Sequence, residues 1–406
     1  MINQVSTIRQ RNKRLEAGVL LLLFMVFVYP FIVMPGPVPY QYIALIFISM
    51  LAVVLLFKKG FMLHKAAWLP LVAFIFMLIL STLFSDNIIR AWAGSSMRLT
   101  GTSTYLLCAV LFVLAAQSQA RQQIIYAMVT AASVVSVIAI MQHYGINIVP
   151  HGYLQEMFHS YGTLGHPNFL GSYTVFILPA AMMLYLYKNQ PQWLICSALI
   201  FAALLASLTR GAWLAFAAIM LLFIYYVFKN SQLRIRMLVI ISVFFLVYLF
   251  FNYDSGSLFT ERTSSIPAEI ESVPGYAQSV PIEAISSVEI RVFVWREALK
   301  VLADNWAFGV GPDNLRIHVP VGYFEDKAFN IFLEIAVTMG IFALISYLVL
   351  IYFCLKQNKG WFGTMLSLMI IAYLLQGQFN IDVVMNLPLF WIVLGLTWAD
   401  QDSIVQ

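Results

Sequence analysis

The stretch "WLICSALIFAALLASLTRGAWLAFAAIMLLFIYYVF", Trp193 to Phe228, carries a single charged residue, Arg210. As one helix it would be about 54 Å long, far more than the roughly 30 Å of hydrocarbon in a bilayer. The run must therefore fold into two spans with "TRG" at the tip. The whole chain has the same character: of its 406 residues 62% are hydrophobic and only 10% charged. Such a composition cannot cover a soluble core with polar surface, so the expectation is an all-α integral membrane protein.

Twelve apolar segments are long enough, or nearly so, to cross. They lie near 17–34, 41–57, 66–84, 103–118, 123–141, 169–187, 192–208, 211–228, 235–252, 331–355, 361–376 and 382–398, the fourth and eleventh being short. Basic residues in short loops mark the cytoplasmic side. With "RQRNKR" inside, alternate loops hold Lys58, Lys59, Lys65, Arg121, Lys188, Lys229, Arg234, Arg236, Lys356 and Lys359, fourteen basic residues in all. The opposite short loops hold Arg90, Arg98 and Arg210. This predicts both termini in the cytoplasm, and the formal charge of +5 then reports topology rather than a nucleic-acid surface. The first segment follows a basic stretch as a signal peptide does, but no small-residue cleavage site ends it, so it is read as a span.

The chain thus divides into spans one to nine (1–252), a long outer loop (253–330), and spans ten to twelve with a cytoplasmic tail (331–406). Fifteen of the eighteen acidic residues fall on the predicted outer side or its boundary. The first half of the long loop is rich in Ser, Pro and Glu. Its second half places Val292, Trp295, Leu299 and Leu302 at helical spacing, which predicts an amphipathic helix at the outer interface. Cys108, Cys196 and Cys354 all lie in spans, so no disulfide framework holds the loop.

An arginine at the tip of an outer hairpin runs against the charge trend and calls for an anionic partner. Snorkelling to lipid phosphates is the alternative for Arg210 taken alone. "AGSSMRLTG" sets Arg98 between Gly94 and Gly101, where a backbone and a guanidinium can approach one anion. "YGTLGHPNFLGSY" puts His166, Pro167 and Asn168 at the start of the sixth span, a helix head that favours anions or is simply capped. "EIRVFVWREALK" offers Arg291, and "FGVGPDNL" offers Gly309 and Gly311 for a tight turn. Several guanidiniums and a His on one membrane face, with no acidic metal-binding cluster in the spans, suit a phosphate-bearing ligand arriving from the bilayer.

The ordered set "GSSMRLTG", "GTLGHPNFLGSY", "SLTRGAWLAF", "IRVFVWREALKVLADNWAFGVGPDNL", "EDKAFNIFLEIAVTMGIFALISYLVLI" and "QGQFNIDVVMNLPLFWIVLGL" resembles the O-antigen ligase and polymerase superfamily over about Gly94 to Leu396. The resemblance implies a GT-C-like membrane glycosyltransferase without metal or other cofactor. It would work on the outer side of the cytoplasmic membrane, moving a glycan from undecaprenyl pyrophosphate to a carbohydrate or other surface acceptor. It further implies that Arg98, Arg210 and Arg291 grip the pyrophosphate. His166, Asn168, Lys327, Asn330, Gly309 and Gly311 would hold positions.

One position departs from the family, which usually reads Asp-Arg-Ala-His-Asn where this chain has Asp326, Lys327, Ala328, Phe329 and Asn330. The His proposed to activate the acceptor is Phe329, which cannot move a proton. Glu325, Asp326 and His318 are the possible substitutes. The alternatives to an active transferase are a regulatory relative that binds lipid-linked glycan, and a transporter. The near absence of charge in the spans, except Glu334 and Asp382 near their outer ends, argues against the last.

Overall fold

The computed structural model describes residues 17–33, 39–60, 63–96, 98–149, 159–254, 287–319 and 327–399. Among them there are helices and loops and no strand. In chain order the helices are α1 (Ala17–Phe31, ending in a 3-10 turn at Tyr29–Phe31), α2 (Tyr40–Lys59), α3 (Lys65–Leu83), α4 (Ile88–Ala93), α5 (Thr102–Ala116) and α6 (Arg121–His143). They continue as α7 (Pro167–Lys188), α8 (Pro191–Ala206), α9 (Arg210–Phe228), α10 (Ser231–Asp254), α11 (Ser287–Asp304), α12 (Leu315–His318), α13 (Ile331–Met339), α14 (Ile341–Gln357), α15 (Gly360–Gln376) and α16 (Leu387–Leu396). Six of them (α2, α3, α6, α7, α9 and α10) are long and apolar enough to cross a membrane. Six further apolar helices have 10–17 residues.

The Trp193–Phe228 run does break at "TRG": α8 ends at Ala206 and α9 starts at Arg210, with Leu208 in the left-handed region at φ 50°. The bundle is organised around α7. Its whole apolar window is buried, as a helix that is apolar all round must be, and it packs against α6, α8, α9, α10 and α15. A second group sets α5 against α2, α3 and α16, and α14 against α3. Phe74 of α3 joins these, its ring 5.7–5.9 Å from those of Tyr105, Tyr347 and Trp391.

Two expected spans differ in detail. The 331–355 segment is two helices that break at Gly340, whose φ is 87°. The backbone N–H groups of Val310 and Gly311 donate to the carbonyls of Val337 and Thr338, and Ile341 N–H donates to Trp306 O at 2.8 Å. Ser81 Oγ also donates to Thr338 O, at 2.6 Å. The helix can end inside the protein because these donors take the carbonyls that the break exposes. In the 382–398 segment, residues 382–386 are loop and turn and only Leu387–Leu396 is helical.

The amphipathic helix is present as α11, and it packs one side against the rest of the protein. Val294 and Ala298 are buried with Val310, Leu315, Val319, Ala328 and Val337 in a satellite core, while Val292 and Leu299 are exposed. Trp295 contributes by donating Nε1–H to Ala328 O at 2.7 Å. Of the four residues at helical spacing, Leu302 packs on this core, which forms where α11 meets α13.

A Cβ at Gly340 would lie 2.1 Å from Ala307 O, a backbone atom that cannot swing away. Together with the positive φ, Gly340→Ala should cost about 2–5 kcal/mol. Thermal unfolding in detergent should show a lower midpoint. An unchanged midpoint would mean that the break is not held as described.

Candidate functional site

The head of α7 is where the polar groups of this apolar protein converge. His166 caps the helix by accepting Asn168 N–H on Nδ1 at 3.0 Å, and Pro167 occupies the first turn, where its missing N–H costs nothing. Three side chains from other segments donate to the carbonyls of the next residues. Thr209 Oγ1 bonds Pro167 O at 3.1 Å, Asn380 Nδ2 bonds Asn168 O at 3.0 Å, and Asn386 Nδ2 bonds Phe169 O at 3.0 Å. The turn between α15 and α16 thus lies against α7, and Val384 of that turn donates its N–H to Arg98 O at 3.4 Å.

Around this head lies a cavity of about 270 Å³. Arg98, from the loop between α4 and α5, and Arg291, from α11, both line it. His166, Asn168 and Phe169 form one wall, Ile290 and Phe329 another, and Asn380 with Ile381 close it. The guanidinium of Arg98 sits 5.9 Å from the centre of the Phe169 ring, and that of Arg291 5.5 Å from the Phe329 ring. The aromatic rings thereby shape two cationic walls.

Five of the residues singled out from sequence, Arg98, Arg291, His166, Asn168 and Phe329, therefore share one cavity. Arg210 is not among its lining residues. It is the first residue of α9, next to Thr209 and thus near the α7 head, and Gly211 beside it packs on Phe379. His318 is directed elsewhere, with Nε2 3.1 Å from Asp86 Oδ2. Glu325 and Asp326 lie outside the described residues.

Lys327, Asn330, Gly309 and Gly311 serve the frame of the site. Lys327 is buried, with Nζ 2.8 Å from Asp313 Oδ1 and 3.0 Å from Glu334 Oε1. The other Asp313 oxygen accepts from Ser95 N–H, and Glu334 Oε2 accepts from Ala328 N–H at 2.7 Å. This clasp ties together the loop that carries Arg98 and the segment that carries Phe329. Burial alone would raise the Asp313 carboxyl, but Lys327 and the Ser95 N–H outweigh it and hold that carboxyl below its ordinary value. Asn330 caps α13, accepting from Phe332 and Leu333 N–H. Gly309 and Gly311 adopt φ of 68° and 93° against the broken end of α13 and against Ser85.

Leu99, Leu208 and Phe329 are non-glycine residues at positive φ, each at or beside a residue of interest. A bulky side chain there costs of order 1–3 kcal/mol and persists only where its surroundings dictate it. The site is thus built on loops held in one shape.

Electrostatics define what the cavity offers. His166 is pushed down to about 4, by burial first and then by Arg98 and His159, so its imidazole is neutral at pH 7. Because Nδ1 accepts a backbone N–H, the ring proton is on Nε2, and His166 is a hydrogen-bond donor rather than a base. Among the described residues no three His, Cys, Asp or Glu side chains converge where they could hold a metal ion.

Four residues that sequence reading did not single out, Phe169, Ile290, Asn380 and Ile381, complete the cavity. The signal for the last two was three polar residues, Asn380, Asp382 and Asn386, within one predicted apolar start. Asp382 is held by Tyr373 (2.6 Å) and Tyr105 (3.4 Å).

The family model for O-antigen ligase matches residues 195–348. No curated protein matches the chain. The match supports an O-antigen ligase-like superfamily and, broadly, a glycan-transfer role; with the apolar helices it supports a multi-pass membrane protein. It includes Arg210 and Lys327 and, of the cavity wall, Ile290, Arg291 and Phe329; the other wall residues lie outside the matched stretch.

Two outcomes follow from this geometry. Lys327→Met leaves two carboxylates buried without their cation and should cost about 3–5 kcal/mol of stability; a thermal shift within error would remove the clasp from the account. A His whose folded value lies below its unfolded value of about 6.5 takes up its proton first in the unfolded chain. His166 therefore lowers stability as pH falls from about 6.5 to about 4. His166→Asn caps without titrating, so its unfolding midpoint should fall less than wild type across that window, and parallel curves would contradict the assigned burial.

Proposed function

We propose that this chain transfers a glycan from a polyprenyl-diphosphate donor, of the undecaprenyl type, to a carbohydrate or other surface acceptor. The observation that carries this reading is that Arg98 and Arg291, from separate segments, meet in one cavity together with the neutral donor His166. Planar guanidiniums match the paired oxyanions of a diphosphate. In the reaction, the bond from the anomeric carbon to the diphosphate oxygen breaks and its electron pair stays on that oxygen. The acceptor hydroxyl oxygen forms the new bond to the anomeric carbon. Fixed positive groups at the departing diphosphate stabilise charge as it develops there.

The proton of the acceptor hydroxyl needs a destination, and neither Phe329 nor His166, with its proton on Nε2, supplies one. We assign it to the departing diphosphate, whose oxygens become more basic as the bond breaks. Arg98 and Arg291 form the clamp, and Arg210 supports the α7 head from beside Thr209. The reading includes twelve spans, both termini in the cytoplasm, and the cavity at the outer side of the cytoplasmic membrane. Its support is the distribution of Lys and Arg along the chain.

The experiment is mass spectrometry of polyprenyl-diphosphate-linked glycans in the native host with and without this gene. Deletion should make one species accumulate, and wild type should clear it. Arg98→Ala and Arg291→Ala should each lower transfer roughly 10²–10³-fold, Lys at either position should be intermediate because it keeps charge without the fork, and Arg210→Ala should cost less. A lipid pool that deletion leaves unchanged would overturn the proposal.

A second reading, a relative that binds the donor without turning it over, draws on Phe329 packed against Arg291. Phe329→His separates the two. A change in turnover below about tenfold fits transfer without that base, whereas a gain of 10²–10⁴ would mark the natural chain as a weakened relative.

A further inference from the structure

The end of α7 remote from the cavity carries a second gathering of charge. With 22 residues at ~1.5 Å each, α7 sets that end roughly 33 Å from its head. Four helices are joined there in one layer. Arg236 of α10 donates from Nη1 to Leu186 O of α7 at 2.6 Å. The Tyr187 ring stacks on Trp361 of α15 with centres 5.0 Å apart, and its hydroxyl pairs with that of Tyr226 of α9. Lys188 Nζ lies 5.8 Å from the centre of the Trp361 ring. At the turn from α9 to α10, Lys229 Nζ sits 4.5 Å from the centre of the Tyr225 ring, and Arg234 donates from Nη2 to Phe228 O at 2.7 Å.

This layer is cationic without a counter-charge of its own. Lys188, Lys229, Arg234 and Arg236 form no salt bridge among the described residues. Nor does the sequence bring carboxylates to them. From Asn87 to Tyr253 the chain has one acidic residue, Glu156, which lies outside the described residues, and from Ile335 to Ile381 it has none. A cluster of one sign is stabilised by an anion that joins it, and a guanidinium that gives one hydrogen to a carbonyl keeps further donors for that anion. The bias of Lys and Arg toward one membrane face accounts for cations at this level, but not for their being held around the joint of four helices.

The surface beside the cations identifies the anion. Of the six long apolar helices, α9 and α10 are the least enclosed, with 28% and 22% of their apolar windows buried. Leu221 and Leu222 of α9 and Leu238 and Ile241 of α10 are exposed, within about two helical turns of Lys229 and Arg236. A soluble anion fits half of this surface. A molecule with a negative head and apolar chains fits all of it.

We propose that the tail of α7 and the turn between α9 and α10 seat an anionic phospholipid, its phosphate met by Lys188 and Arg236 and its acyl chains lying along the exposed sides of α9 and α10. Lys229 and Arg234 add attraction at the rim. The site is separate from the cavity, and the inference does not rest on the transfer reading.

The test is native mass spectrometry of the full-length protein in detergent, titrated with phosphatidylglycerol or with phosphatidylcholine. Wild type should bind phosphatidylglycerol at least about tenfold more tightly. Lys188→Gln and Arg236→Gln should each weaken that binding roughly fivefold and change phosphatidylcholine binding less than about twofold. Lys65 is the control: it is exposed at the start of α3, whose opposite end meets the start of α5 through Thr82 and Thr102, so it lies on the same end of the bundle as Lys188. Lys65→Gln removes the same charge and should change phosphatidylglycerol binding less than about twofold. Equal losses in Lys65→Gln and Lys188→Gln would make the attraction a property of the whole face and overturn the seat, and so would a wild type that binds both lipids alike. Displacement of phosphatidylglycerol by an equimolar amount of inorganic phosphate would mark a simple anion site and overturn the lipid assignment. Lys188 is exposed, so Lys188→Gln should unfold at the wild-type midpoint in lipid-free detergent, and it carries the test if Arg236→Gln loosens the contact between α7 and α10.

Discussion

A helix enclosed on every side by apolar neighbours has no water to complete its ends, and that constraint on α7 organises the rest of the protein. Each backbone N–H at its head must find a partner inside the molecule. His166 supplies them, through Nδ1 for Asn168 N–H and through its carbonyl for Phe169 and Leu170 N–H. The carbonyls of the same turn also accept from buried side chains that need a partner, Thr209 from the turn between α8 and α9 and Asn380 and Asn386 from the turn between α15 and α16. The head of α7 therefore gathers segments that are more than two hundred residues apart. The cavity is the space that remains between them.

The second organising element is ionic. Lys327, Asp313 and Glu334 lie almost wholly inside the protein, where three charges are tolerable only because each is paired and hydrogen-bonded. Their arrangement locks the Arg98 loop to the segment that carries Phe329. The Gly340 break gives that clasp room, since α13 ends where the Gly309–Gly311 turn meets it. Functional side chains thus hang from loops whose shape is fixed by buried polar contacts, including backbone at positive φ for Leu99, Leu208 and Phe329.

Within that frame the cavity divides its chemistry. Donors that suit oxyanions come from Arg98, Arg291 and His166, and apolar walls come from Phe169, Ile290, Phe329 and Ile381. Phe329 holds the place where the resembling family has a proton carrier, and it meets Arg291 across its ring face. An aromatic there keeps the guanidinium in place while removing a titratable group. In the transfer proposed above, this favours stabilisation of a leaving group over activation of a nucleophile.

Much of this was legible in the chain. The break at "TRG" follows from length against bilayer thickness, and the start of α7 follows from His166 and Pro167. Placing Arg98 and Arg291 on the same face as His166 needed only the alternation of basic and apolar segments. Azimuth and register were not legible. Arg210 heads α9 beside Thr209 but does not line this cavity, a placement that depends on how Thr209 docks onto α7. Helical spacing in α11 did not tell which residues face the protein, and contact with α13 selects Val294 and Ala298. Asn380 was passed over because an amide in a loop gains meaning only from the groups it meets. Sequence by itself determined the membrane class and the helical hairpins, because hydropathy acts locally along the chain. Only the tertiary structure decided which cations share a cavity, because that depends on buried polar pairings between segments remote in sequence.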